Sequence, residues 1–112
     1  MKNTEIIKKN YEFKYFLKKG TYIPGRLIEV FIINSQNINK LGIAVSRKSG
    51  GSVQRNKIKR YIRAAYSDIE DKINKKVGLL IIWKKTNDVK DASFNGIKSD
   101  LETILRKKGI ID

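Results

Sequence analysis

Residues 41–63 read LGIAVSRKSGGSVQRNKIKRYIR, and the fold depends on how that stretch divides. Large and small side chains alternate at its start, Leu41, Ile43 and Val45 against Gly42, Ala44 and Ser46, which is the period of a β-strand with one crowded and one open face. The space over the small face suits either an extended ligand or a packed helix. Arg47 to Gly51 is a basic, glycine-containing loop, and Ser52 can cap a helix running to about Lys76. At about 100° per residue, Ile58, Tyr61, Ile62, Ala65, Tyr66, Ile69 and Ile73 share one arc of that helix. Asn56, Lys57, Lys59, Arg60 and Arg63 take the opposite side, with Arg55 at the boundary. The apolar arc needs a sheet to cover it, and the cations are left facing outward.

Working outward, residues 27–33 (Leu-Ile-Glu-Val-Phe-Ile-Ile) are β-branched and aromatic and read as a second strand. Its faces are Ile28, Val30 and Ile32, expected in the core, and Leu27, Glu29, Phe31 and Ile33, expected toward solvent or a ligand. Upstream, Asn10 to Lys19 forms a short helix with Asn10 as cap, Phe13, Phe16 and Leu17 at helical spacing and Gly20 as the stop; Gly20 to Arg26 is a turn. Downstream, the apolar run Val77 to Trp83 is a buried strand. Residues 93–107 form a last helix, with Ser93 as cap and Phe94, Ile97, Leu101, Ile104 and Leu105 on one stripe. The predicted order is αββαβα, an α+β sandwich on a small central sheet, in a single domain spanning residues 1–112.

Charge indicates what the domain meets. The chain carries 25 Lys and Arg against 11 Asp and Glu, a formal net charge of +14. The charges are also segregated: residues 30–67 hold no acid but carry Lys40, Arg47, Lys48, Arg55, Lys57, Lys59, Arg60 and Arg63. A solvated helix face ordinarily intersperses acids, and clustered like charges repel unless a polyanion relieves them, so nucleic acid is the expected partner. The basic loop running into a helix N-terminus adds free N–H groups and a favourable dipole, a natural phosphate site. An anionic membrane would call for a long apolar span or a detached basic amphipathic segment, and neither is present in the sequence. The first nine residues lack a signal-peptide core, so a cytoplasmic protein is expected.

Chemistry by the chain itself is poorly provided for. With no Cys and no His, thiolate nucleophiles, disulfides, typical zinc sites and imidazole acid–base catalysis are excluded. Lys48-Ser49-Gly50-Gly51-Ser52 lacks the spacing of a phosphate-binding nucleotide loop. Asp68, Glu70, Asp71, Asp88 and Asp91 could be imagined as nuclease metal ligands, but they fall among lysines or in a loop, where surface pairing is the ordinary reading. Phe13, Tyr15, Phe16, Tyr22 and Phe31 offer stacking surfaces for unpaired bases, with at least half of them needed for the core.

Val45-Ser-Arg-Lys48, followed by Arg55-Asn56-Lys57, Ile58-Lys59-Arg60 and Ile62-Arg63, resembles the signature of the protein subunit of bacterial ribonuclease P, whose core is an Arg-Asn-Arg helix. Phe13-Lys-Tyr-Phe-Leu17-Lys-Lys-Gly20 is similar to that family's N-terminal Phe-x-x-x-Phe-x-x-Gly pattern, and its strand aromatic falls on Phe31. The resemblance implies a subunit that joins a large catalytic RNA to remove the 5′ leader from precursor tRNA, with Mg²⁺ bound mainly by the RNA and no obligate protein partner. It also implies a left-handed βαβ crossover, against the usual right-handed rule. By the same resemblance Ser46, Arg47, Lys48, Arg55, Asn56, Lys57, Lys59, Arg60 and Arg63 face RNA, and Phe13, Leu17, Phe31 and Lys48 contact the precursor leader. Three positions depart from the pattern: Leu17 replaces a Phe, Gly51 an Asn, and Lys57 an Arg, the last keeping charge but losing a planar bidentate donor. A ribosomal-type RNA-binding protein and a protein-only metal nuclease are the rival readings.

Overall fold

The alternating and helical patterns assemble around one five-stranded sheet in the computed structural model, which describes residues 3–112. Met1 and Lys2, the start of the N-terminal stretch read above, lie outside the described residues. The elements in chain order are β1 (Thr4–Ile6), α1 (Asn10–Lys19), β2 (Thr21–Pro24), β3 (Ile28–Asn34), β4 (Asn39–Ala44), α2 (Ser52–Ile69), β5 (Val77–Trp83) and α3 (Phe94–Lys107). Short 3₁₀ turns cover Arg47–Ser49, Glu70–Lys72 and Val89–Asp91. The sheet order is β1-β4-β5-β3-β2, parallel through β1, β4 and β5 and antiparallel on the β3–β2 side. β4 and β5 are parallel neighbours joined through α2, so they form the βαβ unit for which the family resemblance implies a left-handed connection.

Alternation decides what each sheet face meets. Ile28 and Val30 of β3, Leu41 of β4 and Leu79, Ile81 and Trp83 of β5 pack with Ile58, Ile62 and Tyr66 of α2 and Ile97, Leu101 and Leu105 of α3 in the larger core. Burying such a side chain stabilises the fold by about 1.5–3 kcal/mol. On the other face a smaller cluster forms, with Phe16 of α1, Leu80 and Ile7 buried and Phe13, Phe31, Ile33 and Ile82 partly covered. The three layers are therefore α2 and α3, the sheet, and α1.

Several sequence expectations shift. The order is βαβββαβα, not αββαβα, because two edge strands were not foreseen. β1 is only three residues long, too short to show a period. It is tied down through side chains: the Thr4 hydroxyl donates to the Glu70 carboxylate at 2.5 Å and lies 2.8 Å from the Tyr66 hydroxyl. β2 falls within the predicted turn, yet Tyr22 and Ile23 pair with Phe31 and Val30, and Pro24 is tolerated because the strand is at the sheet edge. α2 stops at Ile69, not near Lys76: Glu70–Lys72 tightens into a 3₁₀ turn, Ile73 turns extended, and the Asn74 amide donates to the Ile110 carbonyl at 2.9 Å. Ile73 still packs on the core, which is why it fits the helical arc. Asn10 and Ser52 are first helical residues, not caps; Lys9 and Gly51 hold those positions without a side-chain bond. Leu27 precedes β3 and joins the larger core, whereas it was expected on the open face. Ser93 does cap α3, its hydroxyl accepting from the Gly96 amide at 3.0 Å.

Burial pushes the Tyr66 hydroxyl above its ordinary 10.0, with the Thr4 hydrogen bond pulling the other way and the charge of Glu70 adding to the rise. The folded chain thus holds that proton more tightly than the unfolded chain. The resulting stability is intact below pH 10 and is lost as the pH climbs through the raised folded value. The Tm is expected to fall more steeply above pH 10 in the wild type than in Tyr66→Phe, and parallel curves would refute the assignment.

Candidate nucleic-acid interface

The open face of β4 stops being regular at Ala44, and the chain then turns sharply. Ser46 organises the turn: its hydroxyl accepts from the Lys48 amide at 3.2 Å and its carbonyl from the Ser49 amide at 2.9 Å, which leaves the Arg47 and Lys48 side chains exposed. Gly50 follows at φ 155°, a conformation that side-chain-bearing residues rarely adopt, and a Cβ there would also crowd Val89 at 3.3 Å. α2 begins two residues later.

Arg55 does more than present charge. Its Nε donates to the Gly50 carbonyl at 3.2 Å, so the half-buried guanidinium stem braces the loop from the first turn of α2. Asn56, Lys57, Arg60 and Arg63 are exposed, and Lys59 is half-buried. Lys57 Nζ lies 5.9 Å from the Tyr61 ring centroid, a cation–π contact that directs this lysine along the helix. Arg60 and Arg63 border a shallow groove of about 310 Å³ with Ala64 and Ser67. Ser46, Arg47, Lys48, Arg55, Asn56, Lys57, Lys59, Arg60 and Arg63 are all at least partly exposed on this loop and the first half of α2, and the Arg55 bond to Gly50 joins the two.

The aromatic set lies across the sheet from that helix. Gly42 resolves which occupant sits over the small face of β4: a Cβ there would approach Phe13 Cε1 at 3.2 Å and Leu80 Cδ1 at 3.1 Å, so α1 packs on the glycine. Gly78 receives Phe16 in the same way, 2.8 Å from where its Cβ would stand, and Phe16 is core, not a stacking surface. Beyond α1 the face stays open. The register places Gly42, Leu80, Phe31 and Tyr22 on one rung and Ala44, Ile82, Glu29 and Pro24 on the next. Leu17 is 51% exposed on α1, beside the partly covered Phe13, and Phe31 lies in the floor.

Tyr22, one of the five stacking candidates in the sequence, stands beside Phe31 on the sheet. Its ring sits 5.1 Å from that of Phe31 at a 48° tilt, and its hydroxyl donates to Glu29. That hydrogen bond, with smaller contributions from burial and the carboxylate charge, raises the Tyr22 hydroxyl from its ordinary value. The sequence signal missing for that placement was strand pairing: read as a turn, residues 20–26 give no face on which to put Tyr22. Lys48 is exposed in the loop four residues beyond Ala44, but no described contact joins it to Phe13, Leu17 or Phe31. Tyr15 faces a different groove on the other flank of α1, with Ile33 and Lys40.

Among the described residues no three His, Cys, Asp or Glu side chains come together as a metal site. Three of the five acids considered above have other partners: Asp68 pairs with Lys98 at 3.3 Å, Glu70 accepts from Thr4, and Asp88 accepts from the Lys90 amide at 2.9 Å.

A family model described as Ribonuclease P matches residues 1–109. The chain is 33% identical over 113 residues to the ribonuclease P protein component of Shouchella clausii, covering 99% of this chain and 91% of that one. It is 37% identical over 105 residues to the component of Clostridium botulinum, covering 93% and 94%. Its backbone matches the structure of the Staphylococcus aureus RNase P protein with a TM-score of 0.81 at 33% identity, over 96% of this chain and 97% of that one. Sequence and fold agree across nearly the whole length, and the chain belongs to the family of bacterial ribonuclease P protein subunits.

Proposed function

We propose that the loop and outer face of α2 bind the catalytic RNA of ribonuclease P while the aromatic cleft on the opposite side of the sheet receives the single-stranded leader of precursor tRNA. As a member of its family the chain is the protein subunit of a ribonucleoprotein endoribonuclease that removes 5′ leaders in tRNA processing. The division of labour between its two faces is the proposal. One observation carries it: cations without exposed aromatics line the α2 face, and aromatics beside the open sheet line the cleft. Phosphate backbone is held by point charges and forked guanidinium groups, whereas unpaired bases need flat surfaces to stack on.

On this reading the protein orients and neutralises, and no side chain attacks the scissile phosphate. Ser46, Arg47, Lys48, Arg55, Asn56, Lys57, Lys59, Arg60 and Arg63 contact RNA; Phe13, Leu17 and Phe31, joined by Tyr22, contact the leader, with Lys48 at the cleft's edge holding its phosphates. Mg²⁺ is held mainly by the RNA on this reading, and Asp68, Glu70 and Asp88 already bond Lys98, Thr4 and the Lys90 amide. Among the described residues no helix is long and apolar enough to cross a membrane. On this reading the chain works in the cytoplasm with its RNA and precursor tRNA and no obligate protein partner.

Reconstitution tests the reading. With a bacterial ribonuclease P RNA at low Mg²⁺ the chain should raise precursor cleavage, and no stimulation across a range of salt and Mg²⁺ would overturn it. Phe31→Ala should weaken precursor binding by roughly 1–3 kcal/mol, the usual range for a base on an aromatic ring, and leave mature tRNA nearly unaffected. Equal loss on both substrates would refute the cleft assignment.

A further inference from the structure

A second basic surface lies at the other end of the molecule. α2 is 18 residues long, about 27 Å at 1.5 Å per residue, and Lys75 and Lys76 stand in the connection beyond its far end. The Asn74 amide donating to the Ile110 carbonyl at 2.9 Å holds that connection against the C-terminal end of α3 and the segment after it, which carry Lys107 and Lys108. Lys75 and Lys108 line one groove of about 160 Å³ with Thr21, Asn34 and the apolar residues Ile32, Val77 and Ile110. The Ser35 amide donating to the Lys76 carbonyl at 3.1 Å fixes the backbone at its rim.

Among the described residues these lysines enter no ion pair. All four are exposed, and among the described residues the ion pairs use Lys72, Lys98 and Arg106 instead. The nearby carboxylate of Asp112 accepts from the Asn74 side-chain amide at 3.4 Å. Cations at helix C-termini are ordinary complements to the helix dipole, which accounts for Lys107 in the last turn of α3. That explanation does not reach Lys75 and Lys76, which belong to no helix. Between Arg63 and Lys75 the chain carries Asp68, Glu70 and Asp71, so the acid-free basic run of the α2 face ends before this pole begins.

We infer that this pole is a second RNA-backbone site, at which Lys75, Lys76, Lys107 and Lys108 hold phosphates of a structured RNA segment distinct from the one on the α2 face. The inference rests on the proposed RNA-bound state and adds a bridging role to it. None of the exposed large apolar residues Ile6, Tyr11, Tyr15, Leu17, Tyr22 and Val53 lines the groove, so it offers no stacking surface and favours backbone over unpaired bases.

The test compares wild type, a variant with Lys75, Lys76, Lys107 and Lys108 all changed to Ala, and a variant with Lys59, Arg60 and Arg63 changed to Ala, each titrated with a bacterial ribonuclease P RNA across salt. The pole variant should lower the slope of log affinity against log salt by roughly 3, at 0.7 to 0.9 per lost phosphate contact. A pole variant with the wild-type slope, beside an α2 variant that loses slope, would overturn this inference alone. Absence of wild-type binding would overturn the proposed function with it. Loss of binding to phosphatidylglycerol vesicles with the RNA slope unchanged would assign the pole to a membrane and likewise overturn it. Because the chain has no cysteine, a single Lys75→Cys or Arg60→Cys can carry a tethered iron chelate in an otherwise intact surface. Two separate tracts of RNA cleavage are expected, and one shared tract, or none from position 75, contradicts the bridge.

Discussion

Changing Lys59, Arg60 and Arg63 together to alanine should flatten the salt dependence of RNA binding by roughly 2 to 3 in slope, since each lost phosphate contact removes about 0.7 to 0.9. Between 50 and 200 mM salt, that change corresponds to a difference of roughly 20- to 60-fold in how far affinity falls. Arg60 and Arg63 are exposed and Lys59 half-buried, on the side of α2 opposite Ile58 and Ile62, so their removal leaves the core contacts intact. The fold should be preserved, shown by unchanged far-UV circular dichroism and melting. An unchanged slope in a folded variant would mean that these side chains do not touch phosphate. Arg55 is a poorer probe: its Nε also braces Gly50, and Arg55→Ala would mix a binding loss with a loosened loop.

The second large effect concerns stability. Asp100 on α3 accepts from three consecutive backbone amides, Arg26 at 2.9 Å, Leu27 at 2.9 Å and Ile28 at 3.0 Å, tying α3 to the start of β3. Gly25 makes room for it, since a Cβ there would collide with the carboxylate. Leu27 and Ile28 are buried, so their amides have no ready replacement in water. Asp100→Ala should cost about 2–4 kcal/mol, given about 1–3 kcal/mol for each buried donor left unmade and partial rehydration at Arg26. Urea unfolding should show the midpoint lowered with the m value unchanged. Asp100→Asn retains an acceptor and should fall between wild type and Asp100→Ala. A shift below about 1 kcal/mol in Asp100→Ala would mean the three amides find other partners.

These two residue sets differ in how they could be found. The cations of α2 are legible because a helix repeats: once Ile58, Ile62, Ala65, Tyr66 and Ile69 define the buried arc, the outward positions follow from the same arithmetic. The motif and absence of acids in residues 30–67 then indicate what faces outward. Asp100 carries no such mark, because its partners lie more than seventy residues away in sequence and are backbone groups common to every residue.

The sequence by itself determined the class of the molecule. Local periodicity located α1, α3, β3, β5 and most of α2 and β4, and composition excluded Cys and His chemistry while pointing to nucleic acid, which the motif resemblance narrowed to RNA. These features depend on side-chain spacing and charge, which the linear order contains. Tertiary structure decided what depends on pairing: β1 beside β4, β2 beside β3, and therefore Tyr22 against Phe31 in the cleft. It also decided that α2 ends at Ile69, through the pull of Ile110 on Asn74, and that Lys75 and Lys108 share a groove. Short edge strands and distant lysines acquire their positions from long-range hydrogen bonds and packing, which no window of sequence encodes locally.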